Sequence, residues 1–294
     1  MLSILIPVYN EEQAIEETIR SLCRAMAGSG EPFEVVAVND GSRDRTGDIL
    51  GKLSKEMAQL KVLTHPENRG YSASLKTGIR HSTGDCIGMV DADGTYPIAE
   101  FPALLADMKA AAADMVVGAR TKLGAEIPLI RRPAKAIVNW LARILTGIRI
   151  PDINSGMRIF TRKLGEQFMH LYPQRFSFTI TITLAALTND YLVLFHPIDY
   201  YARKGKSTIT GVNGVWTFLS FLALIVRMVT YFRPLRFFVW PSLVLLLGGG
   251  GLMTYTVFWQ ANISDSGLLL FLSGLQIGLF GLVAEAVVRS RVPR

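Results

Sequence analysis

Cysteine is nearly missing from these 294 residues, with only Cys23 and Cys86 present. They fall on a predicted helix and a predicted strand without metal-ligand spacing. This excludes a disulfide scaffold and a cysteine-based zinc site, and leaves two small core residues. No signal peptide is expected, because the chain opens directly on strand-like Ser3-Ile4-Leu5-Ile6-Pro7-Val8. Charge is missing altogether from Phe237 to Phe258. Acids are scarce from Arg120 to Arg175, where eleven Lys or Arg face three acids. That excess is larger than the net charge of +7 on the whole chain. Such a stretch suits an anionic partner, either phosphates or an anionic lipid leaflet. No nucleic-acid motif accompanies it, so nucleic acid is not expected.

What is present is half apolar, with a positive mean hydropathy of +0.30. A folded domain carrying a membrane appendage fits that balance. Up to about residue 210, strand-like segments at 3–8, 33–39, 60–64, 85–91 and 114–119 alternate with helical patterns at 11–27, 44–58, 71–81 and 98–112. This βαβα rhythm predicts a mostly parallel α/β sheet with helices on both faces. Ligands in such sheets bind at the C-terminal ends of the strands. Four predicted strands end there in polar residues: Tyr9-Asn10-Glu11, Asp40-Gly41-Ser42, Asp91 with Asp93, and Arg120.

The pair Asp91 and Asp93 carries the sharpest signal. At i and i+2 on a strand they would project to one side, and Gly94 and Pro97 then force a turn. Two carboxylates so close are reconciled by a hard divalent cation, Mg²⁺ or Mn²⁺. A calcium-binding helix–loop–helix is excluded, because its sixth loop position would be Tyr96 instead of glycine and its twelfth Pro102 instead of glutamate.

Two predicted spans, 237–258 and 267–288, are each long enough to cross a bilayer. Arg227, Arg233 and Arg236 precede them, Arg289, Arg291 and Arg294 follow them, and the connecting loop has no base. The positive-inside rule therefore predicts cytoplasmic ends and an external hairpin tip. The organisation expected is a catalytic domain at 1–210, an interfacial segment at 211–235 and a transmembrane hairpin at 236–294. Residues 133–149 and 215–226 are expected to lie in the headgroup region. Gly274 and Gly278, with the run Gly248 to Gly251, permit close helix contact, within the hairpin or between copies.

Taken in order, PVYNEE (7–12), VNDGS (38–42), DADGTYP (91–97), GAR (118–120), DINSGMRIF (152–160) and YYARKGKS (200–207) resemble family 2 glycosyltransferases of the Rossmann-like GT-A fold. Within that family the likeness is to the polyprenyl-phosphate branch, the dolichyl-phosphate mannose and glucose synthases and their bacterial relatives. It covers about residues 1–210, and the two-span C-terminus also looks like the bacterial members.

The resemblance implies an inverting, metal-dependent transfer of a hexose from a UDP- or GDP-linked donor to undecaprenyl or dolichyl phosphate at the cytoplasmic membrane. The two-span form leans toward UDP-sugars, and a homo-oligomer such as a tetramer is implied. By the same resemblance, Pro7, Tyr9, Glu11, Asp40 and Ala92 meet the nucleotide sugar, and Arg203 and Lys206 close over it. Asp91 and Asp93 hold the metal. Arg120, Arg131, Arg132 and Ser155 meet the acceptor phosphate, and the catalytic set is Asp91, Asp93, Arg120, Arg131 and Asp152. Thr95 stands where the family often has Gln, so no third side-chain ligand is expected there. A lipid monophosphate, with its second pKa near 6, is already a nucleophile at neutral pH. No general base is then obligatory, and Asp152 is the candidate if one is used. Two alternatives remain: a glycosyltransferase acting on a lipid hydroxyl, and a non-catalytic membrane scaffold. A processive polysaccharide synthase is disfavoured by the absence of QxxRW.

Overall fold

Strand β1 (Leu2–Val8) is buried along its whole length, as a mostly Leu, Ile and Val segment inside a two-sided sheet must be. The computed structural model describes residues 1–122, 147–148, 150–173, 178–201, 223 and 234–291. Around β1 the chain adds β2 (Phe33–Asn39), β3 (Leu60–Thr64), β4 (Cys86–Met89), β5 (Met115–Arg120), β6 (Arg158–Thr161) and β7 (Val193–Ile198). Their order is β3-β2-β1-β4-β6-β5-β7, seven strands in one sheet. All pair in parallel except β6, which runs antiparallel to both β4 and β5.

Helices α1 (Ile15–Ala27), α2 (Thr46–Glu56), α3 (Tyr71–His81) and α4 (Phe101–Ala110) connect the first five strands. On α1, Ile15, Ile19, Leu22 and Met26 are buried at helical spacing, while Glu16 and Glu17 stay exposed in its first turn. Helix α1 packs on α2 and α4. A second group is formed by α3 with α5 (Arg162–Gln167) and α6 (Phe178–Thr188). Helix α6 is buried from Phe178 to Leu187, with no polar face at all.

Two expectations are corrected. Strand β4 ends at Met89, before Asp91 and Asp93, so strand alternation does not place the two carboxylates. Val90 N–H still reaches Leu5 C=O, and the chain then turns. Local polar bonds outcompete the ladder there: Thr18 Oγ1 donates to Ala92 C=O at 3.2 Å, and Asp93 accepts from Thr95. The helix expected at 11–27 begins only at Ile15, because Glu11 C=O accepts from Ala14 and Ile15 N–H in a preceding turn.

The C-terminal unit contains two long antiparallel helices, α7 (Pro234–Gln260) and α8 (Asp265–Arg291). Each has 27 residues and reaches about 40 Å at 1.5 Å per residue, more than a bilayer core requires. Gly249, Gly267, Gly274, Gly278 and Gly281 face the partner helix. A Cβ on Gly274 would lie 2.8 Å from Leu246 N, and one on Gly249 would lie 2.7 Å from Gly267 O. Ser242 Oγ donates to Gly274 C=O at 2.8 Å across the same seam. Gly274 and Gly249 thus serve the hairpin itself, whereas Gly248 and Gly251 meet nothing within 4 Å. Most of the interfacial stretches expected at 215–226 and 133–149 lies outside the described residues.

Candidate active site

The loops leaving β1 and β2 are laced together. Asn10 N–H donates to Ser42 Oγ at 3.0 Å, and Arg43 N–H donates to Asn10 Oδ1 at 2.8 Å. Glu11 N–H donates to Thr46 Oγ1 at 3.0 Å, and Arg45 N–H donates to Glu12 Oε2 at 3.1 Å. Pairing of β1 with β4 stops at Leu5, two residues before Pro7, which has no N–H to give. Above these strand ends opens a cavity of about 360 Å³, lined among others by Tyr9, Asn39, Ser42, His65 and Asn68. Asp40, between the lining residues Asn39 and Gly41, is 3% exposed. Its Oδ1 receives His65 Nδ1 at 2.6 Å and Arg69 N–H at 2.9 Å, and its Oδ2 receives Gly70 N–H at 2.7 Å. The carboxylate expected to read the nucleoside is therefore largely occupied by the protein's own donors.

The two turn carboxylates are each fixed. Asp91 Oδ1 accepts from Tyr71 Oη at 2.7 Å. Asp93 Oδ1 accepts from Thr95 Oγ1 at 2.7 Å and from Thr95 N–H at 3.2 Å. Thr95, standing where Gln is frequent in the family, thus supports Asp93. Burial first, then the charge of Asp91, pushes the Tyr71 hydroxyl well above the usual phenol range, so it remains a donor. Tyr96, raised chiefly by burial, accepts from Gly156 N–H at 2.6 Å.

Arg120, at the end of β5, closes the other side. Its Nε and Nη2 donate to Asp152 at 2.7 and 2.9 Å, and its backbone N–H adds a third bond at 3.1 Å. Its guanidinium stands 5.0 Å from the Tyr200 ring centre, and Tyr200 meets Tyr96 edge-on at 5.4 Å. Burial would lower the arginine's pKa, but the Asp152 bonds outweigh it and the net shift is upward. The Asp152 side chain is 1% exposed, against 20% for that of Arg120. This geometry makes Asp152 an orienting partner of Arg120 rather than a solvent-facing base. Ser155, expected at the acceptor phosphate, is fully buried, and its Oγ donates to Gly118 C=O at 2.5 Å. Arg131, Arg132, Arg203 and Lys206 lie outside the described residues.

Arg158 was not singled out from the sequence. It is wholly buried and donates to Ser155 C=O, to Thr179 C=O at 3.0 Å and to Thr183 Oγ1 at 2.8 Å. Burial pushes it down to about 10, so it is still a cation at neutral pH. Among the described residues no carboxylate lies within ion-pair distance of it. Its signal in the sequence was faint: one arginine in the apolar run Met157 to Phe160.

Two regions of the chain match family models: residues 3–170 match glycosyl transferase family 2, and residues 233–289 match the GtrB C-terminal hairpin. The chain belongs to glycosyl transferase family 2. As a glycosyltransferase it has relatives of named activity. It is 32% identical over 226 residues to a dolichyl-phosphate beta-glucosyltransferase, ALG5D, of Trichomonas vaginalis, covering 72% of this chain and 69% of that protein. It is 27% identical over 250 residues to an undecaprenyl-phosphate 4-deoxy-4-formamido-L-arabinose transferase of Salmonella paratyphi B, covering 84% and 73%. Among solved structures, glucosyl-3-phosphoglycerate synthase from Mycobacterium tuberculosis, in complex with Mn²⁺, UDP and glucosyl-3-phosphoglycerate, superposes with a TM-score of 0.59 over 78% of this chain and 79% of that one. At 15% identity that likeness establishes the GT-A fold of this glycosyltransferase, and the fold alone.

The donor set suits a divalent metal. Among the described residues no group of three or more His, Cys, Asp or Glu side chains is arranged to hold a metal ion by itself. Two carboxylates on one turn would offer hard oxygen ligands to such a cation.

Proposed function

We propose that this glycosyltransferase moves a hexose from a nucleotide sugar, UDP-linked by preference, to a membrane polyprenyl phosphate. The observation that carries this reading is the state of Asp152. It is buried and held in a two-pronged pair with Arg120, which leaves it poorly suited to remove a proton from a hydroxyl acceptor. An acceptor that is already anionic needs no such step. Its phosphate oxygen attacks the anomeric carbon, the bond from that carbon to the diphosphate oxygen breaks, and the nucleoside diphosphate leaves with the electron pair. Attack opposite the leaving group inverts the anomeric centre.

The residues contribute orientation and charge. Arg120 offers a fixed guanidinium to phosphate oxygens, backed by Asp152 and stacked on Tyr200. Arg131 and Arg132 are assigned to the same acceptor phosphate, and Arg203 with Lys206 to the donor. Tyr9, which lines the cavity above β1 and β2, is assigned to the nucleoside together with Glu11, Pro7 and Ala92. Asp91 and Asp93 would hold Mg²⁺ or Mn²⁺, which when bound neutralises charge on the departing diphosphate. The hairpin holds the domain at the headgroup level where the lipid phosphate lies, with both chain ends cytoplasmic by the distribution of arginines.

The test is a transfer assay. Purified protein, Mg²⁺ or Mn²⁺, and undecaprenyl or dolichyl phosphate are incubated with a panel of radiolabelled nucleotide sugars. Labelled lipid from one donor, lost with EDTA and with Asp93→Ala, is the expected result. Label appearing only on a hydroxyl lipid, and abolished by Asp152→Asn, would replace this reading with glycolipid synthesis. Nucleotide binding without turnover on any lipid would replace it with a scaffold.

A further inference from the structure

Asp91 is gripped from two sides. On one side stands Tyr71, the first residue of α3, whose Oη donates to Asp91 Oδ1 at 2.7 Å. On the other stands Gly156, where a Cβ would collide with Oδ2 and lie 2.7 Å from Asp91 Cγ. Gly156 is itself fixed, since its N–H donates to Tyr96 Oη at 2.6 Å. The carboxylate thus occupies a slot with a hydroxyl at one wall and bare backbone at the other.

The placement of Tyr71 is set by the two residues before it. Arg69 and Gly70 give their N–H groups to Asp40, and Gly70 turns with φ +98°, a conformation that side chains resist. Asp40 is tied in turn to His65, whose Nε2 meets Thr77 Oγ1 at 2.9 Å on the same helix α3. His65, which lines the cavity, and the orientation of Asp91 are therefore joined through Asp40 and residues 69 to 71.

We propose that Tyr71 is a positioning residue for the metal carboxylate. Its hydroxyl and the side-chain-free backbone of Gly156 hold Asp91 in a rotamer that would present it to a divalent cation bound with a nucleoside diphosphate. This inference rests on the reading of Asp91 as a metal ligand. Hydrogen-bonding partners of metal ligands typically change metal affinity by about 10–100-fold when removed. Tyr172 supplies the contrast. It is 4% exposed, and its hydroxyl has no hydrogen-bond partner among the described residues.

The experiment titrates Mn²⁺ into the full-length protein in detergent, with saturating UDP and in parallel with GDP, and follows loss of the free Mn²⁺ electron paramagnetic resonance signal. Tyr71→Phe is expected to weaken Mn²⁺ binding about tenfold. It should raise the Mn²⁺ concentration needed for half-maximal transfer while the KM for polyprenyl phosphate stays unchanged. Gly156→Ala should weaken Mn²⁺ at least as much, and it makes the same test from the other wall if Tyr71→Phe fails to fold. Tyr172→Phe should bind Mn²⁺ as the wild type does. Wild-type affinity in both Tyr71→Phe and Gly156→Ala, beside its loss in Asp91→Ala, overturns the positioning role and leaves the metal site intact. A wild-type protein that takes up no Mn²⁺ with either nucleotide, or an Asp91→Ala variant that binds it equally, overturns the metal reading and this inference with it.

Discussion

The sheet and the hairpin place their polar and apolar groups in opposite ways. Around the sheet the interior holds Asp40, Asp152 and Arg158, each 3% exposed or less and each surrounded by hydrogen-bond partners. In the hairpin the large apolar side chains point outward: Trp240 is 65% exposed, Leu247 74% and Phe258 83%. Small residues fill its inner seam. In water a domain must cover its hydrocarbon, and it retains buried ions only where paired bonds repay desolvation. In lipid the solvent is itself hydrocarbon, so helices associate by close backbone approach. The two regions are each built for a different solvent.

The sharpest way to break this comparison is to remove charge from the sheet unit where charge is used. Asp93→Ala is expected to lower transfer about a hundredfold or more at saturating metal, with little change in the melting temperature, read by assay and by thermal melt. Near-wild-type turnover would show that the polar turn is merely structural.

Next comes the buried pair. Asp152→Asn leaves Arg120 without its counter-ion and is expected to destabilise the sheet unit by about 3 kcal/mol. On the proposed mechanism activity should fall but persist, since the aspartate would orient the arginine and no proton need be removed. Complete loss of activity in a protein that still melts normally would make Asp152 a base.

The hairpin is tested by overpacking. Gly274→Leu puts a side chain where Leu246 N already lies 2.8 Å from a Cβ, at a cost of about 1–3 kcal/mol. Protease resistance of the hairpin in detergent should fall while nucleotide binding by the catalytic domain stays intact. If nucleotide binding fell equally, the two regions would not be independent.

The smallest effect concerns pH. Glu34 accepts from Ser3 Oγ at 2.6 Å, from Thr83 N–H at 2.6 Å and from Thr83 Oγ1 at 2.8 Å. Burial alone would raise its pKa, but these donors outweigh it and the net shift is downward. A depressed carboxylate stabilises the fold above its unfolded pKa, and that stability is lost as pH falls through the folded value. Glu34→Gln should therefore flatten the acid limb of the stability profile by less than about 1 kcal/mol, since solvent screens the site. An unchanged acid limb would remove Glu34 from the account.

Much of this arrangement was legible in the residues. The strands 33–39 and 60–64 and the helix 71–81 fall where their apolar patterns put them, because periodicity reports which face is buried. Helix α6 was not legible. Its sequence, Phe-Thr-Ile-Thr-Ile-Thr-Leu, alternates like a strand, yet it is a helix buried on every side. There Thr183 gives its hydroxyl to Thr179 C=O and accepts from Arg158, so the threonines are satisfied without a polar face. Antiparallel β6 was hidden for a related reason. Four residues, Arg158–Thr161, carry no periodic signal, and only insertion between β4 and β5 makes them a strand.

The sequence by itself determined the two solvents, the parallel frame and the polar strand ends, since composition and period dictate burial locally. Tertiary structure alone decided what those polar residues do. Asp40 and Asp152 are 112 positions apart in the chain, and both proved to be engaged by neighbours that no spacing announces. Tyr71, Gly156 and Asp91 come from three separate segments and meet only once the sheet has closed. A side chain's chemical role depends on its hydrogen-bond partners and on the dielectric around it, and distant parts of the chain supply both.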